Sequence, residues 1–166
     1  MNKITSVVIV PLYKEKEKTK LFFTKRNQTM KHHPGEISFP GGKVESGESY
    51  FETVKRETQE EINCTVIKTI GTLNPVMTLV SDHLILPYIG YIDIQNLSLN
   101  QAEVESVHAI SINELLKTKM QKRRFPHRGL FITTPVWFFK DFYVWGATGR
   151  ILLDFKKWIK QHRIEL

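Results

Sequence analysis

Arg56-Glu57-Thr58-Gln59-Glu60-Glu61 packs three carboxylates and a guanidinium into six residues. On an α-helix, with roughly 100° per residue, Glu57 and Glu61 stand one turn apart on one face. Glu60 lies beside them, three residues from Glu57. Like charges held this close repel unless cations neutralise them. Carboxylate oxygens are suitable ligands for Mg2+ or Mn2+, ions that in turn favour phosphate oxygens. Arg56 can pair with one carboxylate and set its rotamer. A solvated acidic helix face would have the same composition, so the surroundings decide. Gly41-Gly42 ends an apolar strand shortly before the helix, and Glu48 lies between. A glycine turn lets backbone carbonyls or amides approach a ligand closely. The glycine turn, Glu48 and the helix carboxylates can therefore converge on one site.

The helix that must carry them has clear punctuation. Phe51, Val54, Thr58 and Ile62 recur at spacings of 3, 4 and 4, and Ser49 followed by Glu52 forms a capping-box pattern. The spacing predicts a helix over 50–62. Residues 3–12 are rich in β-branched types and read as a strand, Lys14–Lys20 as a charged turn, and Leu21 onward as a second strand. Polar residues, two histidines and Pro34-Gly35 make 27–35 a loop. Strands are expected near 65–79 and 84–94, joined through Ser81-Asp82-His83, and again at 107–110. Ser111 can cap a helix through about Lys117. Pro135 and Lys140-Asp141 divide the aromatic stretch 129–145 into short strands. A last helix after Gly146 has Ile151, Leu152, Phe155, Trp158 and Ile159 on one face. Strands with only two substantial helices argue for an α+β sandwich of sheet between helices rather than repeated βαβ units.

The 166 residues, 41% of them apolar, suit one domain over 1–166 with a solid core. One cysteine, Cys64, excludes an internal disulfide. No apolar run approaches the length of a membrane span, and a cytoplasmic setting without membrane association is expected. The net charge of +7 favours anionic partners. Its densest run, Lys117–Arg124, reads as a solvated loop after a helix, with a cationic lip for a phosphate-rich ligand as the other reading. His32 and His83 read as surface residues.

Gly42, five residues, Glu48, seven residues, then Arg56–Cys64 resembles the Nudix box, Gly-x5-Glu-x7-Arg-Glu-(apolar)-x-Glu-Glu-x-Gly-(apolar). Thr58 stands in the apolar slot and Asn63 replaces the closing glycine. Asn tolerates the left-handed conformation that a helix C-cap needs. The resemblance implies the Nudix fold, a mixed β-sheet sandwiched between α-helices. It also implies Mg2+ or Mn2+ and attack by water on a nucleoside diphosphate linked to another group. By matching positions, Glu57, Glu61 and Glu60 are expected metal ligands. Arg56 is their orienting partner, and the Gly41 carbonyl is a further candidate ligand. The base is open between a helix glutamate and Glu103 or Glu105.

A second resemblance lies upstream. Thr24, Arg26, His33, Gly35, Phe39, Pro40, Gly41 and Gly42 match the added signature of the coenzyme A diphosphatase branch, and Val144–Leu152 resembles its C-terminal segment. Asn27, Lys31 and Glu36 depart from it, where the branch has Ser, Arg and Gln. The branch implies hydrolysis of coenzyme A or its derivatives to 3′,5′-ADP and 4′-phosphopantetheine. Arg26, Lys25 and Lys31 are candidates for the extra phosphate, with His33 and Gly42 as further substrate contacts. ADP-ribose, a dinucleotide or an oxidised nucleotide are the alternative substrates, and a non-catalytic nucleotide- or RNA-binding module is the alternative outside enzymology. The expected partner is a small-molecule nucleotide and not a nucleic acid. A homodimer is compatible with the family.

Overall fold

The computed structural model describes residues 3–78, 83–127 and 129–162. Along the chain run β1 (Ser6–Glu15), β2 (Lys18–Arg26), β3 (Ile37–Ser38), β4 (Gly41–Lys43), α1 (Tyr50–Ile62), β5 (Thr65–Thr72), β6 (Val76–Met77) and β7 (Leu84–Asp93). There follow β8 (Val104–Ser111), α2 (Ile112–Lys117), β9 (Gln121–His127), β10 (Leu130–Phe138), β11 (Tyr143–Val144) and α3 (Gly146–His162).

The main sheet is mixed. Its order is β3-β2-β1-β7-β5, with β4 on β1, β6 on β7 and β8 on β2. β1 and β7 are parallel, from Ser6↔Ile85 to Leu12↔Tyr91, and the other pairings are antiparallel. Alternation along β1 divides the apolar residues between two layers. Val7 and Ile9 pack with Val54 and Ile62 of α1 on one face. Val10 and Leu12 join Leu115 of α2 and Ile151, Leu152 and Phe155 of α3 on the other. The sheet is thus sandwiched between helices, as the box resemblance implied. Among the described residues no helix is long and apolar enough to cross a membrane.

Several boundaries differ from the sequence reading, each for a tertiary reason. β1 runs to Glu15 because Lys14 and Glu15 continue the ladder opposite Thr19 and Lys18. The charged turn shrinks to Lys16-Glu17, with Lys16 at φ 55°. The strand expected over 65–79 stops at Thr72 and resumes for two residues after Pro75. Of the connection Ser81-Asp82-His83, the first two residues lie outside those described. His83 is partly buried rather than a free surface residue: its Nδ1 is 3.1 Å from Thr5 Oγ1. The strand expected at 107–110 extends over 104–111 along β2. Pro135 does not interrupt β10: beyond the Trp137–Phe138 segment paired with β11, no described strand pairs with that edge, so a missing N–H need not break a ladder bond. The basic run 117–124 is not a loop throughout. Gln121 onward forms β9, paired with β10 from Gln121↔Val136 to His127↔Leu130.

Candidate active site

α1 begins and ends where its caps dictate. Ser49 accepts from the Glu52 N–H, and the Glu52 carboxylate accepts from the Ser49 N–H at 2.8 Å. At the other end Asn63 takes the left-handed conformation, φ 53° and ψ 37°, while its N–H closes the last turn on the Gln59 carbonyl. Thr58, in the apolar slot of the motif, is fully buried. Its hydroxyl donates to the Val54 carbonyl at 2.7 Å, so no polar group is orphaned there.

Arg56 is the hub of the site. Its Nε and Nη2 hold both oxygens of Glu48, at 2.7 and 3.1 Å. Its Nη1 donates to Glu57 at 2.9 Å and to Glu60 at 3.1 Å, and Nη2 reaches the Lys43 carbonyl at 3.3 Å. This two-pronged clasp, with a hydroxyl bond from Thr53 at 2.7 Å, holds the Glu48 carboxyl down to about 2. Glu48 is therefore ionised and committed to Arg56. Thr53 escaped the sequence reading, although its spacing of three from Arg56 puts both on one helix face.

Glu57 and Glu61 face the glycine turn. The Gly41 N–H donates to Glu61 Oε2 at 3.3 Å. A Cβ on Gly42 would collide with the Glu57 carboxylate, so only glycine leaves that carboxylate its place. Burial raises the Glu57 carboxyl, an effect partly offset by Arg56. Glu61 is 4% exposed. Burial first, then the charge of Glu57, pushes its carboxyl up to about 8, against the pull of Arg26 and the Gly41 amide. Glu60 is exposed at the edge of the group.

Among the described residues no three acidic, histidine or cysteine side chains already close around one centre. Arg56 accounts for part of this by drawing Glu57 and Glu60 toward itself. The donor set nonetheless fits a hard divalent ion: a buried carboxylate carrying a strong burial penalty and a half-buried one beside it, next to a glycine turn without side chains. Glu57 and Glu61, with Glu60 on the same helix and the Gly41 carbonyl of β4, are the groups that would hold it.

Of the distant carboxylates, Glu103 arrives on a clamped turn and Glu105 on β8. The Asn100 N–H donates to the Glu61 carbonyl at 3.0 Å, and the Asn27 N–H to the Glu103 carbonyl at 2.8 Å. Asn100 Nδ2 holds the Glu103 carboxylate at 3.2 Å. Glu103 is near enough to raise both Glu57 and Glu61. Asn100 also went unnoticed in the sequence; a lone Asn in a polar loop carries no spacing signal. Glu105 differs from Glu103, because its carboxylate is paired with Lys25 at 2.6 Å.

The remaining residues singled out in the sequence lie on the strand and loop beside the turn. Arg26 donates from Nε to the His32 carbonyl at 3.3 Å and acts on Glu61 through its charge. His33 has φ 55° and its Nδ1 lies 3.1 Å from Glu36. Glu36, one of the departures from the branch pattern, thus ties down the loop. Lys31 is exposed on that loop. Arg150, in the C-terminal segment, donates to the Met77 carbonyl and links α3 to β6.

A model of the NUDIX domain matches residues 3–129. Nudix hydrolase 3 of Caenorhabditis elegans is 37% identical over 127 residues, 70% of this chain. The chain spans only 53% of that relative's length. The mitochondrial coenzyme A diphosphatase NUDT8 of Mus musculus is 36% identical over 157 residues, covering 88% of this chain and 73% of its own. A crystal structure of a MutT/nudix family protein from Enterococcus faecalis superposes with a TM-score of 0.60 at 18% identity, over 96% of this chain and 64% of that one, a likeness of fold.

Proposed function

Because the chain belongs to the Nudix hydrolase family, we propose that it hydrolyses a nucleoside diphosphate linked to a second group, with coenzyme A or a derivative as the substrate. The observation that carries the chemistry is the Glu57–Glu61 pair, packed against Gly41-Gly42 with Glu61 buried, and flanked by the clasped Arg56. The similarity to a coenzyme A diphosphatase and the Thr24-to-Gly42 signature support the substrate.

Divalent ions, Mg2+ or Mn2+, would neutralise the diphosphate and lower the pKa of a bound water. Glu57, Glu61 and Glu60 would hold such ions, together with the Gly41 carbonyl. Arg56 fixes the rotamers of Glu57 and Glu60 while Glu48 and Thr53 fix Arg56. Glu103, in the turn before β8, is better placed than Glu105 to accept the proton of the attacking water, since Glu105 is neutralised by Lys25. Arg26 and Lys31 supply positive charge for the extra phosphate, Lys25 being paired with Glu105, and His33 shapes the loop that carries Lys31 through Glu36. One water adds across the P–O–P bridge, and two phosphomonoesters leave.

Mass spectrometry of the products of coenzyme A, turned over in 18O-water with Mg2+ or Mn2+, tests this. The expected products are 3′,5′-ADP and 4′-phosphopantetheine, with label in only one of them. Intact coenzyme A beside consumed ADP-ribose, dinucleotide or oxidised nucleotide would overturn the substrate. Salt-sensitive RNA binding with no diphosphate hydrolysed would overturn the enzyme.

A further inference from the structure

The basic run after α2 has no part in the chemistry above. Its first half faces α3 across a cleft of about 500 Å³. Five lysines line that cleft: Lys117 at the end of α2, Lys119 from the α2–β9 connection, and Lys156, Lys157 and Lys160 from α3. No carboxylate is among the lining residues. Lys157 pairs with Asp154 at 3.0 Å. The other four have no ion pair recorded among the described residues. Lys156 is held in place: its Nζ donates to the Thr118 carbonyl at 2.7 Å and lies 5.3 Å from the centre of the Trp137 ring. Burial and the neighbouring charge of Lys160 both disfavour its ammonium form. Cations lining one cleft repel one another until an anion joins them.

The cleft is also separate from the glutamate helix. α2 and α3 pack on the Val10, Leu12 and Phe23 side of the main sheet, whereas α1 packs on the Val7 and Ile9 side. A substrate at Glu57 and Glu61 lies across the sheet from these lysines.

The chemistry of the lining narrows the ligand. Lysine ammoniums are compact point charges that bind phosphate without the planar fork of arginine. Trp137 is 1% exposed and is covered by Lys156, so no aromatic face is offered to a base. Leu116, Met120 and Leu153 supply the apolar part of the lining and the lysines its charge, so the polar recognition it offers is through phosphate oxygens, in a volume that holds a few phosphate groups. We infer that the lysine cleft between the α2–β9 connection and α3 is a second ligand site, which takes a compact polyphosphate anion.

Isothermal titration of the full chain with inorganic tripolyphosphate, in the absence of divalent metal and substrate, tests the site independently of the diphosphatase reading. One equivalent should bind, more weakly as salt rises. Binding should weaken about tenfold or more in Lys119→Ala/Lys160→Ala, which removes two exposed charges. Turnover of the diphosphate substrate without tripolyphosphate should be unchanged in that variant. Lys156→Met keeps an apolar stem over Trp137 and removes the charge. It should weaken binding with an unchanged melting temperature. Unaltered binding in Lys119→Ala/Lys160→Ala would place the anion elsewhere and overturn the inference. So would no binding at millimolar tripolyphosphate, or binding through these lysines by single-stranded RNA alone.

Discussion

Glu57 and Glu61 share one face of α1 yet have different surroundings, and the difference is testable residue by residue. Glu57 touches Arg56, whereas Glu61 is buried with the Gly41 amide as its hydrogen-bond donor. Glu57→Gln keeps the volume and removes a ligand charge. It should lower kcat/KM by on the order of a thousandfold, the loss of several kcal/mol of charge stabilisation, with an unchanged circular dichroism spectrum. A near-normal rate would refute the assigned role. Glu61 makes a prediction about pH. Its carboxyl is pushed from 4.5 up to about 8, so between those values the folded metal-free chain holds a proton that the unfolded chain has released. Stability from this group therefore falls as pH rises through that window. Thermal melts in EDTA should show a declining melting temperature from about pH 5 to pH 8. The decline should flatten in Glu61→Gln, and Mg2+ should restore stability most at the upper end. Equal slopes in the two proteins would remove Glu61 as the cause.

At the scale of elements, the site depends on where α1 starts, where it stops and how closely the glycine turn approaches it. Ser49→Ala removes one arm of the capping box and should cost about 1 kcal/mol in denaturant unfolding. Asn63→Val places a β-branched residue in the left-handed region and should cost about 1–2 kcal/mol. Asn63→Gly should stay within about 1 kcal/mol of the parent: it relaxes the backbone but loses the bond from Asn63 Nδ2 to the Asn96 carbonyl. Gly42→Ala is a different kind of change. Its methyl falls on the Glu57 carboxylate, so turnover should drop on the order of a hundredfold through misplacement of that ligand. A normal rate in Gly42→Ala would show that the turn does not position Glu57.

At the scale of the molecule, the two apolar layers hold α1 and the loop carboxylates in one frame. Phe155 is fully buried in the layer beneath α3, on the side of the sheet away from α1. Phe155→Ala should cost about 3–5 kcal/mol, read as a lower denaturant midpoint. At low denaturant the surviving folded fraction should keep its KM, because the cavity lies across the sheet from Glu57. A raised KM with unchanged stability would contradict this division of roles.

What could be read from the residues alone was local. The span of α1, its capping box, the left-handed cap at Asn63 and the proximity of Glu57, Glu60 and Glu61 all follow from spacing and backbone preference within about 22 residues. The Nudix resemblance has the same origin, since its motif is contiguous. Pairing across the chain was not legible. β9 forms because β10 offers it an edge, not because Lys122-Arg123-Arg124 favours a strand. Glu103 and Glu105 look alike in sequence; only folding leaves Glu103, in the turn, near Glu61 and, through the pairing of β8 with β2, gives Glu105 to Lys25. Thr53 and Asn100 acquire their roles from partners that become neighbours on folding. The glutamate helix could be recognised in the chain; the burial that makes two of its carboxylates favour a cation is a property of the packed sheet and loops around it.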